Sequence, residues 1–257
     1  MLIKAIKTRA FIPPKDDLFS LIKESFSNII LKEKSIIVVT SKIVSIGQGR
    51  CVKIDSIKNK DDLIKKEADL YLDRSQIPKG YVILTVKNNI LIPTAGIDES
   101  NGNGYYILWP KNPFVEEKQI YDFIKKNYHL NDFGIIISDS HTIPEKWGTV
   151  GTSIAYYGFY PLRDYRGRED IFGRKLKTSQ SNIVDALSAA AVFVMGEGRE
   201  QTPLAIIEDI NNIEFKKFNP LISNPLKIDK NNDIYAPLLK AIRWHKGGDN
   251  NLQNNEE

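Results

Sequence analysis

The chain has 257 residues, 42% of them apolar and 26% charged, and 36 Lys and Arg against 32 Asp and Glu give a net charge of +4. That length buries a substantial core in one large domain or two small ones, and the mild charge excludes the dense basic surface of a nucleic-acid binder while favouring small anions. The lone cysteine, Cys51, excludes an intramolecular disulfide framework and fits a reducing, cytoplasmic setting.

The opening residues MLIKAIKTRAF lack the apolar segment and small-residue cleavage site of a signal peptide. Alternation over residues 2–8 predicts a strand. PPKDDL then turns into a helix over 16–30, with Asp16 or Asp17 as N-cap. Residues 36–39 read as a buried strand with a polar Thr40-Ser41-Lys42 exit and a Gly47/Gly49 turn. Residues 56–72 are charged and read as helical. YVILTVKNNILIP (81–93) predicts two strands around Asn88-Asn89. A strand over 105–110, an amphipathic helix over 114–128 and a strand over 133–139 follow. Residues 152–162 suit strand or helix. TSQSNIVDALSAAAVFVMGEG (178–198) predicts a capped helix with a Gly-bounded end, and residues 203–210 a last core strand. Residues 186–195, the longest apolar stretch, reach about half a membrane span, so no membrane association is expected.

Strands and helices mix without a strict βαβ rhythm, which predicts an α+β fold of mixed sheets with flanking helices. No segment has linker composition. The expected organisation is a single domain over 1–245 and a polar, Gly/Asn-rich tail over 246–257.

Four polar clusters each lie just outside an apolar segment: Ser41-Lys42, AGIDESN (95–101), Asp139-Ser140 and MGEGREQT (195–202). Loops at element ends gather sites because the core positions them. Asp98, Asp139 and Glu197 are hard oxygen donors, Ser140 adds a hydroxyl, and such a set suits Mg²⁺ or Mn²⁺. The same residue types also serve as turn formers and helix caps. Lys42, Arg199 and the Gly196-Glu197-Gly198 loop suit a phosphate, because Gly-rich backbone N–H groups form anion nests. Neither a P-loop nor a dinucleotide fingerprint is present. Arg163, Arg166, Arg168 and Arg174 crowd residues 161–176; they fit either a solvated loop paired to Asp164, Glu169 and Asp170 or a carboxylate clamp. His141 is a candidate general base.

TSKIVSIGQGR, AGIDESN, ILWPKNP, IIISDS, GFYPLRDYRGREDIFGRKL, VDALSAAAVFVMGEG and TPLAII occur in that order. In that order and spacing the chain resembles the coenzyme F420-0:γ-glutamyl ligase family over residues 7–210. The resemblance implies a ligase that joins L-glutamate to a carboxylate acceptor through an acyl phosphate. It implies GTP or ATP as cosubstrate, Mg²⁺ or Mn²⁺, K⁺ as a helper, and an intertwined homodimer. Carried onto this chain, the metal ligands fall on Asp98, Asp139, Ser140 and Glu197, with Asp98, Asp139 and Glu197 catalytic. The nucleotide contacts fall on Arg9, Ala10, Phe11, Ile12, Ser41, Lys42, Asn101, Met195, Gly196, Gly198, Arg199, Glu200, Gln201 and Thr202. His141, Arg163, Arg166 and Arg174 are the candidates for the acceptor, and the 141–152 loop for a cover that keeps water out.

The chain departs from the family pattern at Ile46, where members carry a lysine linked to nucleotide binding, and at HTIPEKWGTVG (141–151), where FGRPWR is usual. A folate-type acceptor, or a catalytically weak nucleotide-binding protein of the same fold, are the alternatives.

Overall fold

Residues 36–39 are Ile-Ile-Val-Val, an apolar run without polar alternation, which only a strand covered on both faces can hide. The computed structural model, which describes residues 1–217 and 220–248, places it at the middle of a five-stranded sheet.

In chain order the described elements are β1 (Leu2–Ile6), α1 (Leu18–Ser25), β2 (Ile36–Thr40), α2 (Ser41–Gly47), β3 (Cys51–Lys53), α3 (Lys60–Glu67), β4 (Leu70–Leu72), β5 (Leu84–Lys87), β6 (Ile90–Pro93) and β7 (Tyr105–Ile107). There follow α4 (Pro113–Tyr128), β8 (Gly134–Thr142), β9 (Thr149–Tyr157), β10 (Leu162–Asp164), β11 (Gln180–Asn182), α5 (Ile183–Met195), β12 (Leu204–Glu208), α6 (Ala236–Ala241) and β13 (His245–Lys246). The central sheet runs β1-β12-β2-β8-β9, with β2 and β8 parallel and the other pairs antiparallel. Side chains alternate across it. Ile37, Val39, Ile135 and Ile137 pack with Leu21 and Ile22 of α1 and Ile120 and Ile124 of α4. Ile36, Val38 and Ile136 pack with Val184, Leu187 and Ala191 of α5 on the other face. A smaller sheet, β13-β4-β5-β6, and the β3-β7 pair gather around a third apolar cluster that includes Ile64, Ile83 and Leu108. The architecture is α+β. Among the described residues, no helix is long and apolar enough to cross a membrane.

Several boundaries differ from the sequence expectation. The first helix stops at Ser25 instead of residue 30, with Asp17 as N-cap accepting from Phe19 and Ser20 N–H. The Ser41-Lys42 exit is the first turn of α2; Ile43, Val44 and Ile46 have strand-like propensity, but burial of most of this short helix overrides it. Residues 56–72 split into α3 and β4. The 178–198 helix begins only at Ile183, because residues 180–182 pair with β10 as a strand before Asn182 caps α5. Residues 152–157 resolve to strand. The expected 141–152 loop is mostly paired: His141 and Thr142 continue β8 against Val150 and Thr149, so the turn spans only 143–148. Asn88 and Asn89 take φ of 50° and 64°, the left-handed pair a two-residue hairpin requires. At the C-terminus, β13 pairs Lys246 with Leu70, and Gly247 and Gly248 donate to Asp69 and Lys65 carbonyls. The expected tail therefore begins inside ordered pairing, and its residues 249–257 lie outside the described residues.

Candidate functional site

The parallel strands β2 and β8 end side by side, Thr40 opposite Ser138. Beyond that point β2 turns into α2 while β8 runs on, and the pairing of β8 with β9 shifts by one residue between Ile137 and Ser138. Such irregularities re-aim side chains beside functional sites. Ser41, at the start of α2, thereby meets Asp139, and its Oγ donates to Asp139 Oδ2 at 3.0 Å. Ser140 N–H donates to Asp139 Oδ1 at 2.7 Å. Asp139 is half-buried. Burial pushes its carboxyl up to about 6, against the opposing bonds from Ser140 and Ser41; the Asp98 charge adds to the rise and the Lys42 charge offsets it.

Asp98 arrives from the turn between β6 and β7, where its backbone exchanges hydrogen bonds with Ile107. Its Oδ1 accepts from Ser100 N at 2.7 Å and from Ser100 Oγ at 2.8 Å. Its Oδ2 lies 2.7 Å from Lys42 Nζ. Burial works to raise this carboxyl, but the Lys42 charge and hydrogen bond, with the two Ser100 bonds, hold it below its ordinary value.

The third wall follows α5. Gly196 takes φ of 78° and ψ of 167°, a backbone region that favours glycine. Glu200 folds back and accepts from Gly198 N–H at 2.8 Å. Asn101 Nδ2 donates to Gly198 O at 2.8 Å and bridges this loop to the Asp98 turn. Ser140 Oγ reaches Glu197 Oε2 at 3.5 Å, at the outer limit of a hydrogen bond.

These walls enclose an open cavity of about 530 Å³. Asp98, Asp139, Ser140 and Glu197 all line it, as do Arg9, Ala10, Phe11, Ser41, Lys42, Asn101, Met195, Gly196, Gly198, Arg199, Glu200, Gln201 and Thr202. Ile12 is half exposed outside the lining, and its N–H donates to Asp16. Arg9 is engaged in a two-pronged bond to Asp16 and a further bond to Glu24. Ile46 lines the cavity as a buried apolar wall. The four acceptor candidates lie away from this lining. His141 is in the β8–β9 ladder, the Arg163 guanidinium lies over Tyr165, Arg166 pairs with Asp164, and Arg174 N–H donates to Asp170.

Thr40 and Ser138 are among the lining residues that the sequence did not mark as site candidates. Both carry buried hydroxyl oxygens without a hydrogen-bond partner. The signal was a hydroxyl residue closing each of two apolar runs, but their adjacency depends on the parallel pairing. Orphaned hydroxyls beside a cavity suit a polar ligand.

Among the described residues, no three His, Cys, Asp or Glu side chains stand close enough to hold a metal ion together. The carboxylates of Asp98, Asp139 and Glu197 and the Ser140 hydroxyl nonetheless line one cavity, all of them hard oxygen donors. That set fits Mg²⁺ or Mn²⁺, which take one or two carboxylates and complete their shell with water and substrate phosphate.

A family model described as F420-0:Gamma-glutamyl ligase matches residues 6–209. A protein of Methanococcus maripaludis (strain C7) called coenzyme F420:L-glutamate ligase is 33% identical over 199 residues, covering 72% of this chain and 80% of the relative. Proteins with the same designation from Methanopyrus kandleri and Methanocaldococcus jannaschii are 29% and 32% identical, covering 81% and 74% of this chain and 86% and 81% of their own length.

Proposed function

Because the chain belongs to the F420-0:gamma-glutamyl ligase family, we propose that it forms an amide bond between the amine of L-glutamate and a carboxylate acceptor, at the expense of GTP or ATP. The observation that carries this reading is one cavity lined by Asp98, Asp139, Ser140 and Glu197 together with Lys42 and the 195–202 loop. A free carboxylate is a poor acyl donor because oxide is a poor leaving group. Transfer of a terminal phosphoryl group makes an acyl phosphate, the glutamate amine attacks its carbonyl carbon, and phosphate departs. Asp98, Asp139, Ser140 and Glu197 would hold Mg²⁺ or Mn²⁺, which when bound offsets phosphate charge in the in-line transfer. Lys42 and the backbone N–H groups of the 195–202 loop would grip phosphate oxygens. The Asn101–Gly198 bridge ties two walls together and would help keep water from the acyl phosphate. K⁺ would assist as a further counter-ion.

The acceptor in this reading is coenzyme F420-0-like or a folate-type carboxylate. His141, Arg163, Arg166 and Arg174 would reach it only through a second copy of the chain, since they lie outside this chain's cavity lining. A homodimer fits that arrangement. Ile171 and Phe172, at the tip of the arm made by β10 and β11, are 91% and 88% exposed, and an apolar tip of that kind favours a protein partner. Sedimentation velocity tests the dimer. The reading takes residues 1–245 as one cytoplasmic domain.

Incubation with L-glutamate, GTP or ATP, Mn²⁺ and a panel of carboxylate acceptors, read by mass spectrometry, tests the activity. A gain of one glutamyl unit on an acceptor is the expected result. Ile46 in the cavity wall favours a second reading, a weakly catalytic nucleotide- or cofactor-binding protein; nucleotide binding without glutamate-dependent phosphate release would select it.

A further inference from the structure

Lys42 faces two demands that it cannot meet together. Its ammonium lies 2.7 Å from Asp98 Oδ2 and donates to Ser100 O and Oγ at 3.0 and 3.2 Å. An ammonium has three N–H bonds, so these contacts use its donors in full. Asp98 is committed in the same way. Its Oδ1 accepts two bonds from Ser100, and Oδ2 is the oxygen left for a cation. A divalent ion on Oδ2 and an ammonium at 2.7 Å from the same atom would repel each other at contact distance. Lys42 is held by a flexible four-carbon stem on α2, within the cavity the 195–202 loop lines.

Resting on the ligase reading, we infer that Lys42 is an exchangeable counter-ion of Asp98. A divalent cation that takes Asp98 Oδ2 displaces the ammonium, which then turns to a nucleotide phosphate in the same cavity. Metal binding thus prepares the phosphate site through a side chain, in addition to any direct metal–phosphate contact. Binding that releases Lys42 for a second ligand is positive coupling, and by linkage the nucleotide favours the metal equally. Arg9 is not arranged for such an exchange: its partners Asp16 and Glu24 do not line the cavity.

Nucleotide-free Mn²⁺ titration, read by the electron paramagnetic resonance of free Mn²⁺, tests the exchange on full-length protein. Lys42→Met should bind Mn²⁺ about fivefold more tightly than wild type, the worth of a partly exposed ion pair. Arg199→Gln removes a cavity cation that has no pair to Asp98 among the described contacts, and should stay within about twofold of wild type, the lower end of that range. In the reverse direction, Asp98→Asn should tighten GTP binding in EDTA, and most of that gain should vanish in Lys42→Met/Asp98→Asn. This second arm decides the matter if Lys42→Met alone does not fold. Equal Mn²⁺ affinity of wild type and Lys42→Met overturns the exchange, as does equal tightening by Arg199→Gln or a gain that persists in the double variant. If wild type, Lys42→Met and Arg199→Gln all bind no Mn²⁺, the metal reading itself fails and the exchange falls with it.

Discussion

Asp139 and Glu117 are two carboxyl groups packed against the same sheet under opposite conditions. Asp139, on β8, opens onto the cavity and accepts from Ser41 Oγ and Ser140 N–H. Glu117, on α4, is 0% exposed, and neither of its oxygens has a hydrogen-bond partner. Burial pushes Glu117 well above the ordinary carboxylate range and Asp139 only to about 6. The first is held toward its protonated form, whereas the second, at about 6, is mostly ionised at neutral pH. Prepared donors and an opening to solvent make the difference, not depth alone.

The comparison breaks most visibly in turnover. Asp139→Ala should lower metal-dependent nucleotide turnover by at least about a hundredfold, the scale of losing a key electrostatic contact, with an unchanged circular dichroism spectrum. Glu117→Met should leave turnover intact. Equal losses in the two variants would erase the distinction.

Stability sharpens it next. A carboxyl whose folded pKa is raised holds a proton that the unfolded chain releases, so stability falls as pH rises from the unfolded value to the folded one. For Glu117 that decline begins near the ordinary glutamate value and continues to the raised one. Glu117→Met should therefore gain about 2 kcal/mol at pH 8 in urea unfolding, and the gain should shrink toward pH 4, where both states are protonated. For Asp139 the window runs from about pH 4 to about 6, and Asp139→Asn should remove a slope worth about 3 kcal/mol.

Gly196→Ala should cost about 1 kcal/mol and loosen the 195–202 loop, detectable as faster amide exchange at Gly198. The smallest effect belongs to a well-exposed pair. Arg9 holds the Asp16 carboxyl below its ordinary range, so its contribution is present above the unfolded aspartate value and lost as pH falls below it. Solvent screens the pair, since the Arg9 side chain is 39% exposed. Arg9→Met should cost under about 1 kcal/mol at pH 7 and less at pH 2.

Much of this was legible in the chain. The uninterrupted run at 36–39 announced a strand covered on both faces, the Asn88-Asn89 pair announced its hairpin, and the polar residues closing apolar runs marked Ser41, Asp98, Asp139 and Glu197. The α2 helix was not legible, because β-branched residues in a seven-residue segment favour extended backbone until packing overrules them. Glu117 was hidden for a related reason: a charged residue in an amphipathic helix reads as solvent-facing, and its burial depends on how α4 meets β8 and β9.

By itself the sequence determined the family and the α+β composition, and it marked the acidic and hydroxyl residues that the cavity brings together, since apolar runs, turn residues and motif order are properties of neighbours along the chain. The tertiary structure alone decided that Lys42 sits on Asp98, that Arg9 is tied to Asp16, and that Thr40 and Ser138, whose buried hydroxyls lack partners, line one cavity. Ion pairing and desolvation depend on distance in space, and Lys42, Asp98, Asp139 and Glu197 come from four separated segments that only the parallel pairing of β2 with β8, and the loops around it, bring together.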